Sequence, residues 1–112
     1  PASFGGTNRG PSPYELLSAS LAACTTMTLR MYAGFKEIDL DAVTVKVSHK
    51  KMHAEACADC SSEDGKIDEF RRELTFEGNL DEAQRQRLLE MADRCPVHQS
   101  LHGEIKVRTT IA

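Results

Sequence analysis

Three things are scarce in this 112-residue sequence, and each scarcity excludes a class of function. There is no excess of basic residues: fourteen Lys and Arg stand against seventeen Asp and Glu, a net charge of −3. That balance argues against nucleic acid and against an acidic membrane surface as partners. Long apolar runs are missing too. The longest uncharged stretch, LLSASLAACTTMTL at residues 16–29, is fourteen residues, short of the roughly 17–25 that a bilayer-spanning helix needs, so it reads as a helix buried inside protein. Cysteines number only four, Cys24, Cys57, Cys60 and Cys95, unevenly spaced, which does not suit a small disulfide-stapled secreted fold. No leader with a basic start and a small-residue cleavage site opens the sequence, so a reducing cytoplasm and four free thiols are expected.

What is present fits an ordinary globular composition, 40% hydrophobic and 28% charged, with one core and a single domain over residues 1–112. Residues 1–13, rich in Gly, Pro and Ser, form a loop. Ser12, Pro13 and Glu15 then supply a cap, a first-turn proline and a first-turn carboxylate, which starts a helix near residue 13. Leu17, Leu21, Cys24, Thr28 and Met31 fall at helical spacing and predict one packed stripe. Gly34 offers the stop. Alternation at residues 43–47 and 66–77 predicts two strands that pair as a hairpin, the second with Phe70, Leu74 and Phe76 on one face. The polar segment 54–65 between them carries Cys57 and Cys60 into solvent. A second helix repeats Leu88, Met91, Ala92 and Cys95 on one stripe, Pro96 begins a short third helix through His102, and Ile105, Val107 and Ile111 alternate as a last strand. The expected class is α+β: a three-stranded antiparallel sheet with helices on one face. One small sheet hardly covers so uncharged a helix, and homodimerisation is the expected remedy.

Cys24 and Cys95 each sit on an apolar helical stripe, where a free thiol can be no more than a small hydrophobe. Cys95 has a further property. If a helix starts at Pro96, Cys95 is its N-cap, where the helix dipole favours a thiolate. A thiol peroxidase needs an attacking thiolate, a positive group beside it and a second thiol that closes a disulfide. Either cysteine can attack and the other resolve, with Arg9, Arg30 or Arg94 as sources of charge. Glu15 can orient an arginine by bidentate pairing or act simply through the helix N-terminus.

The stretches GPSPYELLSASLAACTTMTLRMYA (residues 10–33) and LLEMADRCPVH (residues 88–98), with HKKMHAEACADC between them, resemble the OsmC/Ohr family of thiol-dependent organic hydroperoxide reductases. The resemblance implies an intertwined α+β homodimer with long cysteine helices at its centre and active sites at the subunit interface. It implies Cys24 as the peroxidatic thiol and Cys95 as the resolving one, with no cofactor, an organic hydroperoxide as substrate and an external dithiol as reductant. Glu15, in its Pro-Tyr-Glu-Leu-Leu context, matches the carboxylate that orients a catalytic arginine. The strands that precede the Gly-rich loop in the family, and that carry this arginine in its hydroperoxide-resistance branch, are expected to be lacking here, with Arg9 as the substitute. The Cys57 and Cys60 loop resembles a subgroup found both alone and fused behind an α/β-hydrolase domain.

A different function remains open on the residues themselves. His49, His53, Cys57 and Cys60 lie within about a dozen positions and could supply four zinc ligands, which makes a metal-binding or non-catalytic dimerising module the alternative. Unpaired loop thiols are the simpler expectation for Cys57 and Cys60. Cys95, His98 and His102 form a second ligand-like cluster, in which His98 is read first as a satisfied polar residue and second as a proton donor. Buried Leu and Met beside Cys24 would favour bulky hydroperoxides over hydrogen peroxide.

Overall fold

In the computed structural model, which describes residues 2–60 and 65–112, the uncharged stretch forms the long helix α1, Pro13–Phe35. The Ser12 hydroxyl caps it by accepting the Glu15 N–H at 3.2 Å, with Pro13 at the first helical position. The end is not made by Gly34, which stays helical. Lys36 is the C-cap, and Glu37 takes the left-handed conformation at φ 54° while Ile38 N–H returns to the Ala33 carbonyl at 2.8 Å.

Two strands follow, β1 (Leu40–His53) and β2 (Lys66–Gly78), paired antiparallel with Val43 opposite Phe76, Val45 opposite Leu74 and His49 opposite Phe70. The expected hairpin is therefore present. At the open end of the hairpin Gly78 pairs with Leu40 and its backbone runs against Asp39, where a Cβ would collide with the Asp39 carbonyl oxygen. Helix α2, Glu82–Ala92, opens with a reciprocal capping box between Asp81 and Gln84. Helix α3, Pro96–His102, begins directly at the proline with Cys95 as its N-cap.

The core gathers Leu29 and Ala33 from α1, Leu40 from β1, and Leu88 and Ala92 from α2, with Val43, Leu74 and Phe76 of the hairpin packed against them. Burying each of the larger side chains contributes about 1.5–3 kcal/mol. Along α1 the buried positions are Ser18, Leu21, Thr25, Leu29 and Ala33, so only Leu21 of the expected stripe is in place. Small side chains at Ser18, Thr25 and Ala33 allow close approach to the hairpin and to the other helices. Leu17, Met27, Met31 and Phe35 are exposed, so the helix is not covered all round within one chain.

The third strand is absent among the described residues, and the sheet has two strands. Residues 103–112 carry no regular structure, and Ile105, Val107 and Ile111 are exposed. Alternation prescribes which face a strand would present; it supplies no neighbour to accept the backbone hydrogen bonds. Among the described residues, no helix is long and apolar enough to cross a membrane.

Candidate active site

The α3 N-terminus brings the two separated cysteines to one turn. Pro96 lacks an N–H, and the next two N–H groups point at sulfur: Val97 N–H at 3.5 Å from Cys24 Sγ, and His98 N–H at 3.3 Å from Cys95 Sγ. Cys24 reaches this turn from the middle of α1 and is half-buried, whereas Cys95 is fully buried. The cap expected for Cys95 is thus present, and the same turn also serves Cys24.

Behind Cys95 stands a residue that sequence reasoning missed. Arg72 on β2 has only 13% of its side chain exposed. Its Nη1 donates to Thr25 Oγ1 at 3.0 Å and to the Ala92 carbonyl at 3.1 Å. Its Nη2 donates to Asp93 Oδ1 at 2.8 Å and lies 3.3 Å from His98 Nδ1. The guanidinium therefore satisfies a terminal carbonyl of α2, favourable for a cation at a helix C-terminus. Thr25 Oγ1 in turn lies 3.6 Å from Cys95 Sγ and 2.7 Å from the Leu21 carbonyl. Burial, and next the Arg72 charge, hold the His98 imidazole below its usual 6.5, against a smaller opposing effect of Asp93. A neutral imidazole is the form that can accept from Arg72 at Nδ1. Arg72, His98, His102, Leu21, Phe70 and Leu101 line a cavity of about 170 Å³. The signal for Arg72 was strand parity: it shares the inward face with Phe70 and Leu74, where a charged residue is unusual unless paired.

The three arginines expected from the sequence are placed elsewhere. Arg30 donates to the Leu40 and Asp41 carbonyls at 2.6 and 3.3 Å and so ties α1 to the start of β1. Arg9 and Arg94 are exposed. Glu15 lies nine residues before Cys24 on α1, about 180° around the helix, and lines a cleft of about 480 Å³ with Tyr14, Ser18, Val45, Val47 and His49.

The alternative metal site is not assembled. Cys57 and Cys60 are bonded to each other as a disulfide, which corrects the expectation of free thiols there: two intervening residues let a turn bring the Cα atoms to 5.5 Å. Asp59 is grouped with the two sulfurs within 4.8 Å. His49 faces Asp68 at 2.8 Å and stacks on Tyr14 at 4.1 Å between ring centroids, while His53 is exposed. Hydrogen bonds from His49 and then Lys51 hold the Asp68 carboxyl below its usual range.

A model of the family described as OsmC-like protein matches residues 6–110. Among solved structures, a Psychrobacter arcticus 273-4 protein named for osmotic stress and detoxification responses is 27% identical, with a TM-score of 0.69 over 89% of this chain and 66% of its own. An organic hydroperoxide resistance protein OsmC from Legionella pneumophila is 22% identical, with a TM-score of 0.69 over 92% and 70%. The organic hydroperoxide resistance protein OhrB of Bacillus subtilis is 24% identical, with a TM-score of 0.67 over 91% and 69%. The chain thus spans about two thirds of the length of the structures it matches. No relative matches among curated proteins.

Proposed function

The chain belongs to the OsmC-like protein family, and from that membership and the convergence of two thiols on one helix turn we propose that it is a cysteine-based peroxidase that reduces organic hydroperoxides to alcohols. The observation that carries the reading is the pair of consecutive N–H groups, Val97 to Cys24 and His98 to Cys95. Solved structures of similar fold named for organic hydroperoxide resistance support the substrate class.

The half-buried Cys24 is the thiol that substrate reaches, and the buried Cys95 is the one that resolves. The Cys24 thiolate attacks the distal peroxide oxygen, the O–O bond breaks, and the departing alkoxide takes up a proton to leave as alcohol. Cys24 is oxidised by two electrons to a sulfenic acid. Cys95 then attacks the Cys24 sulfur: an S–S bond forms, the S–O bond breaks, and hydroxide leaves as water with the proton from the Cys95 thiol. An external dithiol in the reducing cytoplasm reduces the disulfide by exchange and is itself oxidised.

The apolar surface pocket formed by Thr28, Met31, Tyr32, Phe35, Met91 and Pro96, about 410 Å³, is assigned to a second copy of the chain, because a face this apolar is costly to leave in water. In that homodimer, Glu15 orients Arg9, and Arg9 polarises the peroxide at the other subunit's sulfur.

Non-reducing peptide mapping before and after one equivalent of cumene hydroperoxide tests the reading. A Cys24–Cys95 disulfide that forms only on treatment is expected, with turnover lost in Cys24→Ser. Hydroperoxide consumption by Cys24→Ser at the parent rate would overturn it.

A further inference from the structure

We infer that Arg72 is a positioning residue for the second half of the reaction: acting through Thr25, it holds Cys95 and stabilises negative charge on its sulfur for attack on oxidised Cys24. The inference rests on the peroxidase reading above and assigns a role to a residue outside the cysteine motifs.

Thr25 is the hinge of the argument. It is fully buried, and its hydroxyl has one proton to give and two neighbours able to take it, the Leu21 carbonyl at 2.7 Å and Cys95 Sγ at 3.6 Å. Arg72 Nη1 occupies one lone pair of the same oxygen at 3.0 Å. While Cys95 is a thiol, the hydroxyl can keep donating to the Leu21 carbonyl, which is already an acceptor within α1. When Cys95 loses its proton, rotation of the hydroxyl turns that donor toward sulfur, and the adjacent guanidinium makes it a stronger one. Low local dielectric enlarges the effect, since Cys95 is fully buried and Arg72 nearly so.

Arg72 does not reach Cys24 by any hydrogen bond among the described residues. Cys24 Sγ accepts from Val97 N–H. The guanidinium is instead fixed on three sides by Thr25, the Ala92 carbonyl and Asp93, a fork that a lysine ammonium could not reproduce. Among the described residues, the hydrogen-bonded groups linked to Cys95 and its turn include Arg72 from β2, Asp93 after α2, His98 from α3 and Cys24 from α1, and Arg72 is the cation of that network.

The resolving step uses the bond changes already given: the Cys95 thiolate attacks Cys24 sulfur, hydroxide departs, and water carries away the proton released by Cys95. Arg72 and Thr25 exchange no electrons in it. They raise the share of Cys95 that is ready to attack and hold its sulfur in place. Formation of the sulfenic acid at Cys24 precedes this step and does not need them.

The test separates the two half-reactions in the full chain. Sulfenic acid at Cys24 is followed by trapping with a dimedone probe, and closure by rapid acid quench and non-reducing mass spectrometry. For Arg72→Met we expect sulfenic acid at nearly the parent rate and closure slower by about tenfold at neutral pH, with the pH profile of closure displaced to the alkaline side. Thr25→Val should behave alike, and Thr25→Ser, which keeps the hydroxyl, should restore closure. A second measurement stands apart from turnover: in the Cys24→Ser background, the ultraviolet absorbance of the Cys95 thiolate should rise at higher pH once Arg72 is replaced by Met. Equal slowing of both half-reactions, or an unmoved pH profile in folded Arg72→Met and Thr25→Val, would overturn the inference. Absence of any sulfenic acid in the parent would instead remove the peroxidase reading, and the thiolate titration would still judge Arg72.

Discussion

Replacing Thr25 by Val removes one hydroxyl at nearly constant volume, which makes it the sharpest probe of the network under Cys95. Among the described residues, the methyl that replaces the oxygen leaves Arg72 Nη1 with the Ala92 carbonyl alone, and leaves Cys95 Sγ with the His98 N–H alone. A hydrogen bond from a charged donor is worth about 1.5–3 kcal/mol. Because Nη1 keeps a partner, the loss should lie near the lower end, about 1.5 kcal/mol. Arg72→Met strips Thr25, the Ala92 carbonyl, Asp93 and His98 of their common partner. Asp93 is 66% exposed, so its ion pair contributes little, at most about 1 kcal/mol. The remaining contacts bring the expected cost to about 3 kcal/mol. If both changes act through the same hydrogen bond, the double variant should be less destabilised than the sum by about 1 kcal/mol. Urea unfolding of the four proteins, at one fixed protomer concentration because association shifts apparent stability, measures the difference. Additivity to within about 0.3 kcal/mol would show that Arg72 and Thr25 do not cooperate, and would refute the reasoning.

Three further outcomes follow from the geometry. The folded state holds the His98 imidazole below 6.5, so the unfolded chain binds the proton first as pH falls. The stability this confers is complete above about 6.5 and declines as the solution is acidified below it; in His98→Gln the slope of unfolding free energy against pH should flatten there. Met31→Asp or Phe35→Asp places a charge on the exposed apolar face of α1 and should convert a dimer to monomer in sedimentation velocity, whereas an unchanged dimer would move the interface elsewhere. Alkylation of the denatured, unreduced protein should label Cys24 and Cys95 only, with Cys57 and Cys60 labelled after reduction; four labelled thiols without reductant would contradict the bridge.

Much of the architecture was written in local signals. Ser12 and Pro13 started α1, Asp81 started α2 with its capping box, and Pro96 separated α2 from α3, because caps and prolines act through their immediate neighbours. Strand alternation gave the hairpin and its inward face for the same reason. The placement of Cys95 as an N-cap was likewise legible, since it depends only on the proline that follows it.

Other features depended on residues distant in sequence. The buried face of α1 ran through Ser18, Thr25 and Ala33 rather than through Cys24 and Met31, because an uncharged helix offers several apolar faces and the neighbours choose among them. The tail at Ile105 and Val107 alternated without forming a strand, for want of a pairing edge. The scarcity of cysteine suggested four free thiols, yet Cys57 and Cys60 are joined.

By itself the sequence determined the caps, the helix and strand periods and the family motifs around Cys24 and Cys95, all of them short-range properties. Only the tertiary structure decided that Val97 presents its N–H to the Cys24 sulfur, and that Arg72 lies behind Thr25. Those contacts join positions 47 to 73 residues apart, and no local propensity encodes them. They exist because β2, α1 and the α2–α3 junction close around one buried layer, where a guanidinium must find every acceptor within reach.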